Sequence, residues 1–300
     1  MTTSFLAVVN PAAGNGRCRK LVGSVLDRLR ASGIRVDVVY TERPGHAIEL
    51  VREAAASGFH QFVAVGGDGT AFEIVNGLFP QAERGPRPTL AFLPLGTGNS
   101  FLRDFTSRGV EHALEAMVAG RRRPCDVLRL THRQGVLHYI NLLSMGFPAD
   151  VATIVNRRFK SLGELGYLLG VFTCLVRLRQ RAFPLRVDGE PDADRRPCLF
   201  LTFSNSKFTG GKMMIAPQAD VADGLIEVVR WGPVGRLELV KNLPGLYDGT
   251  HILNPKSSRR QARRIDFELE GPVNVMVDGE VLTLHCQRLE VLPAALTVMV

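Results

Sequence analysis

The chain is short of the residues that mark several common functions. Among its 300 residues are one tryptophan and four tyrosines, too few for the aromatic-interleaved basic surface of a single-strand nucleic-acid binder. The five cysteines (Cys18, Cys125, Cys174, Cys198 and Cys286) are odd in number, widely spaced and form no CxxC pair. That argues against a disulfide framework and a thiolate zinc site, and they read as buried thiols in a reducing cytoplasm. The seven histidines are scattered without ligand spacing. The longest uncharged run in the middle of the chain, LGYLLGVFTCLV at 165–176, has twelve residues. A membrane-spanning helix needs about 20, so none is expected. The amino terminus, MTTSFLAVVNPAAGNGR, lacks a basic n-region and a long apolar stretch, and reads as a first strand rather than a signal peptide.

What is present suits a folded enzyme. The apolar fraction of 45% supports a sizeable core, and the length suits two domains or one large α/β domain. The net charge of +8 suits a nucleic acid, an anionic membrane or a phosphorylated ligand. Six lysines stand against thirty-one arginines, a skew that reflects base composition as much as selection and carries no nucleic-acid signal.

The first ~125 residues alternate short apolar runs with helical patterns. Phe5–Val9, Val36–Tyr40, Phe62–Val65 and Leu90–Leu93 read as buried strands. RCRKLVGSVLDRLRASG places apolar residues at 21, 22, 25, 26 and 29 and stops at Gly33; GHAIELVREAAASG repeats the theme and ends at Gly58. This rhythm predicts a parallel sheet covered on both faces. Near RRRPCD (121–126) the texture changes to apolar alternation with frequent turns, the pattern of an antiparallel sandwich or barrel, interrupted by one helical stretch at about 161–181. The expected fold class is α/β plus all-β, with residues 1–125 and 126–291 as the two domains.

Ligands of open parallel sheets bind beyond the carboxyl ends of the strands. Three glycine-rich loops lie at such ends: NPAAGNGR (10–17), GGDGT (66–70) and PLGTGNS (94–100). Glycine lets backbone approach a phosphate closely, and N–H groups at a helix start favour anions. No GxxxxGK[ST] occurs, and GTGNSF carries Phe101 where the third glycine of GxGxxG would stand, so neither a P-loop nor a dinucleotide fingerprint is present. The carboxylate of Asp68 inside such a loop would repel phosphate unless a divalent cation lay between them, which implies Mg²⁺.

These motifs, in this order and spacing, resemble the diacylglycerol kinase/sphingosine kinase catalytic family of lipid kinases. The likeness continues through NSKFTGGKMMIAPQADVADGLIEV (205–228) and MVDGE (276–280), so it covers nearly the whole chain. It implies a phosphofructokinase/NAD-kinase-like α/β nucleotide domain followed by an antiparallel β-sandwich, with the residues after about Leu292 returning to the first domain. It also implies ATP as the phosphoryl donor. Thr41, Gly66, Gly67, Asp68, Gly69, Thr70, Ala71, Phe72 and Thr97 match positions that contact ATP, with Asn10 in the first loop and Gly96, Gly98 and Asn99 beside Thr97. Asp68 would organise Mg²⁺ through water, and Glu280 matches the general base that takes the proton of the lipid hydroxyl. Asp220, Asp223 and Leu225 match a second metal site, although DVADGL on its own residues reads as a hairpin turn. Many bacterial diacylglycerol kinases of this group carry aspartate where Ser100 stands; sphingosine kinases lack it and are active, so the expected acceptor is diacylglycerol, with a sphingoid base or another lipid alcohol as the alternative. Asp104, four residues on, is set too far along to replace it.

The stretch 161–181 reads as a helix packed on the sandwich, or as a wall of an acyl-chain pocket. RLRQR (177–181), RRR (121–123) and RRQARR (259–264) read as solvated faces that would also suit an anionic bilayer. The expectation is an ATP- and Mg²⁺-dependent lipid kinase, cytoplasmic and peripheral to an anionic membrane. It needs no nucleic acid and no obligatory protein partner, and a homodimer stays open. NAD kinase shares a GGDGT loop but fits PLGTGNSFLRDF and TGGKMMIAP poorly. A catalytically silent lipid- or nucleic-acid-binding protein is disfavoured by the presence of both Asp68 and Glu280.

Overall fold

The computed structural model describes residues 4–154, 173–175 and 178–300. The stretch 161–181, expected as a helix or pocket wall, lies largely outside them.

Four short apolar strands, β1 (Phe5–Val9), β2 (Val36–Tyr40), β3 (Gln61–Gly66) and β4 (Thr89–Pro94), form a parallel sheet in the order β2-β1-β3-β4. Every residue of β1, β3 and β4 is buried, as expected for strands covered on both faces. The connections carry α1 (Arg17–Ala31), α2 (His46–Ala56), α3 (Asp68–Leu78) and, after β4, α4 (Val110–Val118). Helix α1 buries Val22, Val25, Leu26 and Leu29 against the sheet. Leu21, counted with that stripe in the sequence, faces solvent instead, because it lies at the margin of the buried face.

From Arg122 onward the strands are mostly antiparallel. Beyond β4 the same ten-stranded sheet continues through the fourteen-residue β18 (Cys286–Met299), β15 (Arg264–Phe267), β8 (Leu185–Val187) and β9 (Glu190–Pro191), with β5 (Arg122–His132) and β6 (Gly135–Tyr139) branching off β18. A second sheet has the order β14-β13-β10-β7-β16-β17, made of Ser257–Ala262, Ile226–Trp231, Phe200–Ser204, Leu142–Gly146, Val273–Val277 and Glu280–Leu284. A small hairpin, β11 (Phe208–Thr209) with β12 (Met213–Met214), stands outside both. The molecule is therefore an α/β unit followed by an antiparallel β unit, as the sequence texture indicated.

Strand β18 joins the two. Its last residues, Thr297–Met299, run parallel to Thr89–Ala91 of β4, while Arg264–Asp266 of β15 pair antiparallel with its first half. Along its length it pairs with β5, with a register shift between Leu292 and Leu296. The buried carboxylate of Asp126 holds that irregularity, accepting the N–H of Ala294 at 2.6 Å and of Gly224 at 2.7 Å. Three apolar clusters follow: one around the parallel sheet, one between the antiparallel sheets and a smaller one around Phe200 and Trp231. All five cysteines are free and buried, and burial pushes the Cys18 thiol up to about 11. Among the described residues no helix is long and apolar enough to cross a membrane.

Candidate active site

The three glycine loops meet where the sequence placed them, beyond the carboxyl ends of β1, β3 and β4. Asn10 leaves β1 with its N–H bonded to Val65 O at 3.0 Å. Its side chain turns the first loop by accepting Ala12 N–H at 3.1 Å, and its amide reaches Thr70 Oγ1 at 3.4 Å. Thr41 follows β2, its N–H donated to Val9 O at 2.8 Å. Helix α3 begins at Asp68 behind Gly67, a cap without a side chain to satisfy the first-turn N–H groups. Such a bare helix start offers its N–H groups and positive dipole end to an anion.

Asp68 is half-buried and tied to the third loop, accepting the N–H of Ser100 at 2.9 Å and that of Phe101 at 3.4 Å. Burial pushes its carboxyl above the ordinary range, and these bonds oppose the shift. The approach is close: a β-carbon on Gly98 would lie 2.8 Å from Asp68 Oδ2. Ser100, almost fully buried, accepts the Gly211 N–H on its own Oγ at 2.9 Å. The serine thus links the GGDGT loop to the hairpin of TGGKMM. Asp104 takes no place in the cleft lining; its carboxylate accepts the Lys207 N–H at 3.1 Å, and burial pushes it up to about 7.

Glu280 arrives from the other unit. Strands β16 and β17 pair Val277 with Glu280 across a two-residue turn, Asp278–Gly279, in which both residues have positive φ. That is the geometry of a tight hairpin, and Asp-Gly suits it. The turn is anchored by Asp278, whose carboxylate accepts three successive N–H groups, from Ile140 and Asn141 at 3.1 Å and from Leu142 at 3.0 Å. Burial first, and the neighbouring Asp68 charge second, push Asp278 up to about 7 against those bonds. The anchored turn presents the exposed Glu280 side chain to the GGDGT loop, with Oε1 2.7 Å from where a β-carbon on Gly69 would stand.

These elements line a cleft of about 840 Å³, within the range of small-molecule sites. Of the residues singled out in the sequence, Asn10, Thr41, Gly67, Asp68, Gly69, Thr70, Gly96, Thr97, Gly98 and Glu280 line it. Gly66 and Ala71 are buried behind it, Asn99 faces a neighbouring pocket, and Phe72 packs against the core between the antiparallel sheets. Asp220, Asp223 and Leu225 lie outside the lining. The two carboxylates accept the N–H groups of Ala222 and Leu225, each two residues on, as in local turns. Among the described residues no three His, Cys, Asp or Glu side chains are placed to cage a metal. Mg²⁺ needs no such cage, being held by one or two carboxylates together with phosphates and water. Asp68 is a carboxylate of that kind; Asp278, its oxygens taken by three N–H groups, is the neighbour whose ionisation the Asp68 charge makes costlier.

Sequence reasoning gave no role to Asp278, Arg19, Arg43 or Glu73, which also line the cleft. Glu73 accepts the N–H groups of Gly45 and Ala47 at 2.8 and 3.1 Å, fixing the start of α2 beside the cleft. The positive-φ Asp-Gly pair in MVDGE was the available signal for Asp278; nothing local marked Glu73.

Residues 4–130 match the family of the diacylglycerol kinase catalytic domain, and residues 141–300 match the YegS C-terminal NAD kinase beta sandwich-like domain. A diacylglycerol kinase of Mycobacterium tuberculosis (strain ATCC 25618 / H37Rv) is 28% identical over 98% of this chain and 94% of its own. A protein of Xanthomonas axonopodis pv. citri named "Probable lipid kinase YegS-like" is 30% identical over 93% of this chain and 89% of its own. In fold, the crystal structure of a diacylglycerol kinase from Bacillus anthracis str. Sterne matches with a TM-score of 0.71 at 22% identity, covering 99% of this chain and 96% of the other. With both of its halves matched and their sites facing one cleft, the chain belongs to the diacylglycerol kinase-like family of lipid kinases and is an enzyme of that class.

Proposed function

We propose that the enzyme transfers the γ-phosphoryl group of ATP, with Mg²⁺, to the hydroxyl of a membrane lipid, with diacylglycerol as acceptor. The observation that carries this reading is the placement of Glu280 against Gly69, which sets a carboxylate from the β unit at the start of α3. ATP and Mg²⁺ bound in the cleft would supply the phosphoryl group and neutralise its charge, the main needs of phosphoryl transfer. The chain's own residues do the rest. The bare start of α3 and the loop of Gly96, Thr97 and Gly98 receive the phosphate oxygens. Asp68, steered by Ser100 and Phe101, would hold the cation, which would neutralise phosphate charge there. Glu280 takes the proton of the acceptor hydroxyl as that oxygen attacks. Residues 1–125 hold the donor and residues 126–291 the acceptor, with the stretch from about 292 returning to the donor side. The net charge of +8 suits work at an anionic membrane surface on the cytoplasmic side.

The test is transfer of labelled γ-phosphate from ATP to diacylglycerol, monoacylglycerol, phosphatidylglycerol, sphingosine, ceramide and NAD, with and without a chelator. Label should enter diacylglycerol, disappear with the chelator and fall steeply in Asp68→Asn and Glu280→Gln. Label in NAD and in no lipid would sink the proposal.

A further inference from the structure

Nine large apolar side chains are exposed among the described residues, and five of them fall within Leu237–Leu253. The other four are scattered at Leu21, Tyr40, Val118 and Val136, as single surface apolar residues normally are. The stretch is built of three short elements, Arg236–Asn242, Gly245–Asp248 and Thr250–Leu253. Leu239 and Leu246 turn inward onto the cluster around Trp231, which fixes the inner face. The outer face of such an element is ordinarily polar. Here it carries Leu237 at 80% exposure, Tyr247 at 56% and Leu253 at 77%.

The charges beside this face are net positive, with Arg236, Lys241, Lys256 and the nearby Lys212 against Glu238 and Asp248. Glu238 is paired with Lys256 at 2.6 Å, while Asp248 keeps its charge and accepts the Thr250 hydroxyl at 2.7 Å. Lys241, on the first of the elements, and Lys212, on the β11–β12 hairpin, are exposed and have no ion-pair partner among the described residues. In a chain with six lysines against thirty-one arginines, four lysines (Lys207, Lys212, Lys241 and Lys256) fall within the fifty residues 207–256. Lysine keeps an ammonium at a polar boundary while its stem lies along apolar surface.

The face is also coupled to the cleft. His251 is buried and bridges Gly245 O at 3.0 Å and Ile215 O at 3.1 Å, fastening the stretch to the strand end that follows β12. That hairpin supplies Thr209 and Gly210 to the cleft lining and the Gly211 N–H to the Ser100 hydroxyl.

We propose that Leu237–Leu253 is the face by which the enzyme docks on an anionic phospholipid bilayer, its apolar side chains entering the headgroup boundary and Lys212 and Lys241 facing lipid phosphates. The inference rests on the lipid-kinase reading, which requires an acceptor drawn from a bilayer, and it names the surface that reaches that bilayer. Docking there sets the β11–β12 hairpin, one wall of the cleft, next to the membrane from which the acceptor comes.

The test is co-sedimentation of the full chain with vesicles of phosphatidylcholine mixed with phosphatidylglycerol, at low and high salt. Wild type should sediment with the vesicles, and the double variant Leu237→Asp/Leu253→Asp should bind about tenfold more weakly or worse. Leu21→Asp/Val136→Asp, which changes two exposed apolar residues elsewhere, should bind as wild type does. Lys212→Ala/Lys241→Ala should lose affinity at low salt and little at high salt. Transfer to a short-chain diacylglycerol dispersed in detergent should be unchanged in all three. Equal sedimentation of wild type and Leu237→Asp/Leu253→Asp overturns the proposal. So does a wild type that is dimeric by light scattering, ignores vesicles and becomes monomeric in that variant, since the face would then bind a second copy. Vesicle binding that follows the expected pattern while no lipid is labelled supports the docking face and overturns the acceptor assignment alone.

Discussion

Glu280 and Gly69 lie 211 positions apart in the chain, yet a single methyl group on Gly69 would collide with the Glu280 carboxylate. The backbone of Gly69 is not in the left-handed region, so glycine is required there for space and not for conformation. Gly69→Ala should therefore fold normally and displace the carboxylate. A misplacement of about 1 Å costs on the order of 10²-fold in rate. The expected outcome is a kcat/KM lowered by about that factor with a melting temperature close to that of wild type. A variant with full activity would show that Glu280 does not act from this position.

Glu280→Gln keeps the shape of the side chain and removes its capacity to take a proton. General-base catalysis contributes roughly 10²–10⁴-fold, so kcat should fall within that range. Binding of ATP, followed by calorimetry, should hardly change, because Glu280 comes from the β unit and the phosphate loops from the α/β unit. Equal losses in ATP affinity and kcat would contradict the division of roles.

Ser100 makes a connection that alanine cannot. Its Oγ accepts the Gly211 N–H inside a buried site, and its own N–H holds Asp68. Ser100→Ala leaves the backbone N–H bond to Asp68, removes the hydroxyl's own bond to that carboxylate and strands the Gly211 donor. An unsatisfied buried donor costs about 1–3 kcal/mol, to be read as a lowered midpoint in urea denaturation. Ser100→Thr should restore most of that loss; failure of both variants in equal measure would point to packing instead of the hydrogen bond.

Two of the groups that make stability depend on pH act in opposite directions. Asp278 is raised to about 7 in the folded chain. Between about pH 4, where aspartates of the unfolded chain lose their protons, and that value, the folded state binds the extra proton. Stability from this group consequently falls as pH rises through the window. His138 acts in the other direction: burial lowers its pKa, so stability is complete above about pH 6.5 and is lost as pH falls below it. Asp278→Asn removes the first contribution and retains the second. Denaturation midpoints measured from about pH 5 to 8 should show the variant gaining on wild type as pH rises; a constant difference across the range would refute the assignment.

The strands and loops of the first unit were legible because each is a local pattern. An apolar run followed by glycines needs no knowledge of distant residues, and Asn10, Asp68 and Thr97 appear at the cleft for that reason. Asp278 was legible as part of a motif but not as an anchor, because its three donors, Ile140, Asn141 and Leu142, lie some 137 positions away and nothing in their sequence advertises free N–H groups. The same holds for Asp126, whose bonds to Gly224 and Ala294 arise only once three distant segments meet. Leu21 shows the limit of helical spacing, since a stripe read from sequence has no edge until the sheet beneath it is known.

Strand β18 has a consequence for how the molecule comes apart. One continuous backbone closes the parallel sheet at Thr297–Met299 and, a few residues earlier, completes the antiparallel path beside Arg264–Asp266. Neither half can melt at that seam without taking ladder bonds from the other. A chain cut before Leu296 should consequently lose the parallel sheet's last strand along with buried Leu296, Val298 and Met299. Denaturation of the intact chain should then run as a single cooperative event rather than one half at a time, with the C-terminal tail as the stitch that makes two architectures behave as one body.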